Sequence, residues 1–153
     1  RLPTVYVFKP LKFKNKKQRQ NYNRLVRNVK KTLPIAKEVN RAIIETYEFL
    51  QTLPDDKTKQ KHLQAVEKSV KEQYTPRMKK LTLSQGKLLI KLIDRESNSS
   101  SYELVKAFLG PFKAGFYQAF AALFGASLKK EYHPEDEDAM TEQIVLMVES
   151  GQL

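Results

Sequence analysis

Apolar residues recur every three or four positions along most of this chain, and this spacing constrains its fold more than any other feature. One such stripe comprises Tyr22, Leu25, Val26, Val29 and Leu33. Before Lys16 the pattern differs, because residues alternate along an extended segment that holds two prolines. At 153 residues the chain fits one domain. We therefore predict an all-α protein, with an extended arm over residues 1–15 and one compact domain of about six or seven helices over residues 16–153.

Prolines and acidic residues set the expected boundaries of the first helices. Pro34 interrupts the first helical segment, which is therefore either one long kinked helix or two helices with Pro34 in the first turn of the second. Asp55 or Asp56 suits the start of the next helix, because a carboxylate stabilises a helix N-terminus. Pro76 predicts that this helix is interrupted after Thr75 and that a new segment begins there.

Capping residues set the boundaries of the later helices. Ser84 is the predicted N-cap of a helix whose core face comprises Leu88, Leu89, Leu92 and Ile93. Gly151 is expected to end the last helix. The inward face of that last helix should comprise Met140, Ile144, Met147 and Val148.

The most apolar stretch lies between Lys113 and Lys129. The two lysines bound it to roughly 15 residues, whereas a membrane-spanning helix needs about 20. One ridge of this stretch is aromatic and comprises Phe112, Phe116, Phe120 and Phe124. A second stripe of mostly small residues comprises Ala114, Gln118, Ala121 and Gly125. We predict that the Phe112 to Gly125 helix is the centre of the fold, with insertion into a membrane or a partner as the alternative.

Spacings typical of metal and cofactor sites are missing from this sequence. Cysteine is absent, which excludes disulfides and thiolate sites. His62 and His133 each lack a second histidine at helical spacing. The four acids from Glu135 to Asp138 lack the spacing of an EF-hand and predict a solvated acidic loop. A glycine-rich phosphate loop is also absent, so we predict no metal site and no cofactor-binding residues.

Two short patterns bear on catalysis. Ser84 and Lys87 have the S-x-x-K spacing, in which a neutral lysine can take the hydroxyl proton, but the companion motifs of penicillin-binding enzymes are missing. A capping Ser84 and a solvated Lys87 explain the same pattern. Asp94 and Glu96 offer a carboxylate pair for acid-base chemistry, while Arg95 between them can pair with a carboxylate and brace the fold. The sequence therefore predicts no catalytic residue.

Charge is distributed unevenly along the chain. The net charge is +11, yet residues up to Lys37 hold twelve Lys or Arg and no acid, whereas residues from Glu131 onwards hold seven acids and no Lys or Arg. The early cations flank an apolar stripe and predict an exposed anion-binding surface. This surface comprises Lys12, Lys14, Lys16, Lys17, Arg19, Arg24, Arg27, Lys30 and Lys31. Its partner is either an external polyanion or the chain's own acidic end, Glu131 to Glu149.

Several long strings of this sequence resemble one family. They are RLVRNVKKTLPIAKEVNRAI, EQYTPRMKKLTLSQGKLLIKLIDRES, KAFLGPFKAGFYQAFAALFGASLKKEY and the terminal VESGQL. The family is an uncharacterised one of Bacteroidota proteins, a domain of unknown function, and the resemblance runs from Leu2 to Leu153. It supplies no catalytic residues. It implies export with a signal peptide that is removed, and a location in the periplasm or cell envelope, with which a start at Arg1 is consistent.

Three classes of function fit these observations. The first is a non-enzymatic helical binding or structural protein of the cell envelope, whose basic surface binds an anionic envelope component or an acidic protein. The second is a nucleic-acid-binding protein, which a pI of about 9.7 and the Phe13 and Tyr22 rings among the cations favour. An exported location disfavours it. The third is a hydrolase that uses one of the two catalytic patterns above. The sequence favours the first class.

Overall fold

A computed structural model of the chain describes residues 7–8, 11–98, 118–119, 121–123, 132–135 and 137–153. The helices with defined bounds in these ranges are α1 (Lys16–Leu50), α2 (Asp56–Met78), α3 (Leu83–Asn98) and α4 (Ala139–Glu149). Residues 118–119 and 121–123 are also helical, and no described residue lies in a strand. The all-α prediction is confirmed, whereas the count of six or seven helices is not. No helix among the described residues combines the length and the apolar character needed to cross a bilayer.

The first helix, α1, continues across Pro34 for 35 residues, so one long helix is the correct alternative. Asn15 caps its start, because the Asn15 Oδ1 accepts a hydrogen bond of 2.9 Å from the Gln18 backbone N–H. Buried residues continue on one face before and after the proline. They are Val29, Leu33, Ala36, Val39 and Ile43. Burial of this face outweighs the proline, which costs about 3 kcal/mol in a helix interior.

The second helix begins where the sequence predicts and ends later than predicted. The Asp55 carboxylate accepts a hydrogen bond of 2.8 Å from the Thr58 backbone N–H, which caps the first turn. The predicted interruption of the helix at Pro76 is wrong, because α2 continues through this residue to Met78. Its buried residues are Val70, Tyr74 and Met78. These lie one turn apart on one face, so core packing beyond the proline keeps the last turn helical.

The start of α3 is set by Thr82 and Gln85, so the predicted cap at Ser84 is wrong. The Thr82 hydroxyl accepts a hydrogen bond from the Gln85 backbone N–H at 3.2 Å, and the Gln85 side chain accepts one from the Thr82 backbone N–H at 3.1 Å. This reciprocal pair is a capping box. The helix is the most deeply buried of the described ones. Its buried apolar residues are Leu88, Leu89, Ile90, Leu92 and Ile93, which include the four predicted.

The last helix, α4, ends at a glycine as predicted. Gly151 has a φ of 79°, a conformation that glycine adopts without steric cost. Its N–H donates to the Val148 carbonyl at 3.2 Å, and the Gln152 N–H donates to the Met147 carbonyl at 2.8 Å. This is the Schellman arrangement, which satisfies carbonyls at the end of a helix.

Contacts at both ends of α3 show that α1 and α3 run in parallel. Gln85, in the first turn of α3, donates to Asn28 at 3.1 Å, and Glu96 near its end lies 3.6 Å from Lys37. Because α1 begins at Lys16, its first turns precede the start of α3 by about 18 Å, at about 1.5 Å per residue. These first turns are therefore not covered by α3.

The second helix runs antiparallel to α1. Arg77 near the end of α2 forms an ion pair with Glu38, while Phe49 contacts His62, nearer the start of α2, with ring centroids 4.6 Å apart. A cleft of about 350 Å³ lies between the two helices. His62 is half-buried, with its ring against that of Phe49.

The last helix runs parallel to α1 and extends beside its first turns. Met140, at the start of α4, shares a groove with Tyr22 and Leu25, while Glu149 at its end pairs with Lys37. Ile144 is fully buried, but Met140 is 40% exposed, so its predicted inward position is wrong. The physical reason is its location beside the part of α1 that α3 does not cover.

The predicted central helix, Phe112 to Gly125, lies largely outside the described residues, and so do all four of its phenylalanines. Of this segment, Ala119 is fully buried in the core and Leu123 packs against it. Gln118 is exposed and donates a hydrogen bond of 2.6 Å to Glu67 of α2.

Candidate functional site

The nine cations from Lys12 to Lys31, here called the basic surface, are all exposed. Seven of them belong to α1, and the other two precede it. At about 100° per residue, the seven fall within an arc of roughly 160° around the helix, and from Lys16 to Lys31 they extend over about 22 Å. Val29 and Ala36, both fully buried, lie on the opposite side of α1. The basic surface is therefore one continuous face turned away from the core.

The cations of the basic surface lie close enough to repel one another. Arg27 has Arg24 three positions before it, Lys30 three after and Lys31 four after. Like charges at these spacings are neighbours on a helix and cost about 0.2–0.5 kcal/mol each. The first acid in the sequence is Glu38, so this part of α1 holds no compensating carboxylate.

The chain's acidic end pairs with other cations. Its described ion pairs are Glu149 with Lys37, Glu142 and Glu149 with Arg95, and Glu137 and Asp138 with Lys91. None of these cations belongs to the basic surface. Among the residues that the structure describes, no carboxylate forms an ion pair with any of the nine cations.

Arg95 is the centre of an ionic cluster between α3 and α4. Its Nε and Nη2 donate to the two carboxylate oxygens of Glu142 at 2.7 and 3.2 Å, and its Nη1 donates to Glu96 at 2.7 Å. Nη2 also lies 3.3 Å from Glu149. The Tyr132 hydroxyl donates to Glu142 at 2.7 Å. The prediction that Arg95 pairs with a carboxylate and braces the fold is confirmed.

The cluster shifts the pKa values of its members. Burial by itself raises the pKa of Glu142, but the hydrogen bonds from Arg95 and Tyr132 outweigh it and hold the pKa below the ordinary 4.5. Burial raises the pKa of Tyr132, and the hydrogen bond to the Glu142 carboxylate raises it further. Burial alone lowers the pKa of Arg95, yet the surrounding carboxylates raise it above the ordinary value. These three groups keep fixed protonation states near neutral pH, which suits a structural clamp.

Asp138 contradicts the prediction of a fully solvated acidic loop. It is only 5% exposed, and its carboxylate accepts hydrogen bonds from Lys91 at 2.7 Å and from the His133 backbone N–H at 2.9 Å. Glu135 and Glu137 are exposed as predicted, while Asp136 lies outside the described residues. No group of three or more metal-ligating side chains lies together in the described part of the chain.

The two catalytic patterns lie apart from the two cavities described in this part of the chain. Ser84 is exposed, Lys87 is half-buried, and neither lines the α1–α2 cleft or the groove beside Met140. Asp94 and Glu96 are 4% and 7% exposed. The Asp94 carboxylate accepts a hydrogen bond of 2.9 Å from the Tyr132 backbone N–H, while Glu96 belongs to the ionic cluster.

A groove with mainly apolar walls borders the basic surface. It has a volume of about 370 Å³. We call it the arm groove, and its walls comprise Leu11, Lys12, Phe13, Gln18, Asn21, Tyr22, Leu25 and Met140. The Phe13 and Tyr22 rings stack at an angle with centroids 5.3 Å apart, and the Arg19 guanidinium lies 5.8 Å from the Phe13 centroid. Cations thus border an apolar space.

The arm groove was not predicted from the sequence. The sequence shows Phe13 and Tyr22 among the cations, but the contact between their rings requires the residues before α1 to fold back along this helix. Met140 is distant in sequence, and its spacing predicts a position in the core rather than in this groove. No local pattern links these segments.

A family model described as a domain of unknown function, DUF4294, matches residues 1–147. The chain belongs to the DUF4294 family. The basic surface, the arm groove and most of the Arg95 cluster lie within the matched residues. The resemblance to a domain of unknown function is confirmed. No curated protein and no solved structure matches this chain.

Proposed function

We propose that this DUF4294 chain is a non-enzymatic helical module that binds an anionic surface of the cell envelope through the basic surface. One observation carries the proposal: nine exposed cations lie together and form no ion pair with a described carboxylate. Such a cluster opposes folding through mutual repulsion, and an anionic partner compensates for it. The proposal includes export with a removed signal peptide and a Bacteroidota origin, as the family resemblance implies.

The shape of the basic surface favours anionic phospholipid as the partner. Seven of its nine cations lie on the outer side of one helix, so a flat surface can contact most of them at once. Each Lys or Arg near an anionic bilayer contributes about 1 kcal/mol to binding. The arm groove beside them offers apolar contact as well, and two such signals together support stable membrane binding. A compact domain around the Phe112 to Gly125 helix is, in this proposal, the support that presents the basic surface.

Vesicle binding tests the proposal. Sedimentation with vesicles of phosphatidylglycerol and phosphatidylcholine should give strong binding at low salt and weaker binding at physiological salt, because ions screen exposed charges. Vesicles of phosphatidylcholine alone should bind weakly. A parallel titration with single-stranded DNA examines the nucleic-acid alternative. Failure to bind the anionic vesicles at low salt would refute the proposal, and binding to DNA alone would replace it with the alternative.

A matched pair of variants separates the basic surface from net charge. The surface variant R24E/R27E/K31E reverses three charges on α1, and the control K57E/K61E/K68E reverses three exposed charges on α2. Lys, Arg and Glu have similar helix propensities, so both should remain folded. We expect the surface variant to bind anionic vesicles at least about 100-fold more weakly, at about 1 kcal/mol per cation, and the control to change binding only a few-fold. Equal weakening of both would contradict a localised site.

A further inference from the structure

We infer that the arm groove binds one acyl chain of an anionic phospholipid, with the head group held by the cations at its rim. The inference rests on the proposed function, because it specifies how a lipid at the basic surface is engaged beyond its charge. It starts from two adjacent features: an apolar groove of about 370 Å³ and exposed cations beside it.

The walls of the arm groove suit a flexible apolar chain. Phe13, Tyr22 and Leu25 supply aromatic and aliphatic surface from the arm and from α1. Met140 adds a side chain from α4 that is 40% exposed. Methionine is flexible and polarizable, and it adapts to ligands of irregular shape. A volume of about 370 Å³ lies near the lower end of the roughly 300–1,000 Å³ of ligand pockets, so it fits a chain segment better than a folded partner.

The rim of the arm groove selects the charge of the head group. Lys12 lines the groove, Lys14 is exposed, and Arg19 lies over the Phe13 ring. No acidic residue lines the groove among the described residues. An apolar chain that enters here therefore brings its head group next to cations, which favours phosphate with a net negative charge.

Methionine NMR tests this inference directly, because the chain has three methionines. Met140 lines the arm groove, Met78 is 1% exposed in the core, and Met147 lies further along α4. Protein with ¹³C-labelled methionine methyls is titrated with monoacyl phosphatidylglycerol below its micelle concentration. The Met140 signal should shift saturably while the Met78 signal stays in place. A Met140 signal that does not move would overturn the inference.

Two further probes define which part of the lipid is recognised. Glycerol phosphate, which is the head group without a chain, should leave the Met140 signal unchanged. Monoacyl phosphatidylcholine with the same chain should bind at least about 10-fold more weakly, because its net charge is zero. Affinity should rise by about 4-fold per methylene of the chain and then level off when the groove is full. Equal affinity for both head groups, or a rise without a plateau, would contradict the inference.

A substitution pair completes the test. Met140→Gln makes the groove wall polar at an exposed position, and Leu83→Gln makes the same kind of change at a residue that is 44% exposed outside the groove. In calorimetric titrations, monoacyl phosphatidylglycerol should bind M140Q about 5-fold more weakly and L83Q unchanged. If M140Q binds as well as the wild type while R24E/R27E/K31E still loses vesicle binding, the groove inference fails and the proposed function stands. If neither the lipid nor the vesicles bind, both fail.

Discussion

Arg27 shows at the scale of one residue how the basic surface opposes folding. Its helical neighbours are the cations Arg24, Lys30 and Lys31. Replacing Arg27 by Glu converts three repulsions into three attractions, so R27E should raise the free energy of unfolding by about 1–3 kcal/mol at low salt. Urea denaturation measures this change. The same variant should bind anionic vesicles more weakly, which would show that stability and binding oppose each other at this position.

Arg41 provides a control of opposite sign on the same helix. It is exposed like Arg27, but its helical neighbours are the acids Glu38 and Glu45 and one cation, Lys37. R41E reverses two attractions and one repulsion, so it should lower the free energy of unfolding by a smaller amount, about 0.4–1 kcal/mol. Destabilisation by both variants would show that local charge does not decide the outcome, and would contradict the account of the basic surface.

Glu142 sets a pH dependence of stability. Its pKa in the folded state lies below the ordinary 4.5, so the folded state binds a proton there less readily than the unfolded state does. The stability that Glu142 contributes is therefore present above about this ordinary value and is lost as the pH falls through the folded-state pKa. E142Q leaves the half-buried Arg95 with fewer partners and should cost about 2–3 kcal/mol at neutral pH.

Urea denaturation at neutral and acidic pH measures this prediction. The wild type should lose more stability on acidification than E142Q. The free energies of unfolding of the two proteins should therefore converge at acidic pH. E135Q is the control. Because Glu135 is exposed, this substitution should leave the free energy of unfolding near that of the wild type at each pH. If E142Q and the wild type lose the same free energy of unfolding on acidification, the stability that the ionic cluster contributes does not depend on the Glu142 charge.

At the scale of elements, α1 carries an internal proline that the core tolerates. Pro34 is exposed and cannot donate a hydrogen bond to the Lys30 carbonyl. P34A restores this donor and should raise the free energy of unfolding by about 1–2 kcal/mol, since greater freedom of the unfolded chain offsets part of the gain. E48A, at another exposed position of α1, should change stability by less than about 0.5 kcal/mol. A loss of stability in P34A would show that the proline itself shapes the packing of α1.

Sequence patterns predicted the described helices well where local chemistry decides. The apolar stripes of α1 and α3, the Asp55 cap and the Gly151 terminus each follow from spacing or from one capping residue. The errors arose where two local signals competed or where packing decided. Thr82 and Ser84 are both good caps, but Thr82 has Gln85 at the right distance for a capping box. Pro76 was expected to break a helix that the burial of Met78 continues.

At the scale of the whole molecule, the sequence located both charged ends but could not say how they meet. The acidic end pairs with Lys37, Lys91 and Arg95, which depends on how α4 approaches α1 and α3. The basic surface is left facing outward because α4 covers another side of α1. The arm groove likewise joins segments that are more than 100 residues apart, so only tertiary structure could reveal it.

The most direct test of this account is lysine footprinting with and without anionic vesicles. Exposed lysines are acetylated and the rate at each site is read by mass spectrometry. The account predicts several-fold protection of the lysines of the basic surface, which are Lys12, Lys14, Lys16, Lys17, Lys30 and Lys31. The exposed lysines of α2, Lys57, Lys61 and Lys68, should react at unchanged rates. Equal protection at both sets, or stronger protection on α2, would contradict the claim that this face of α1 binds the anionic surface.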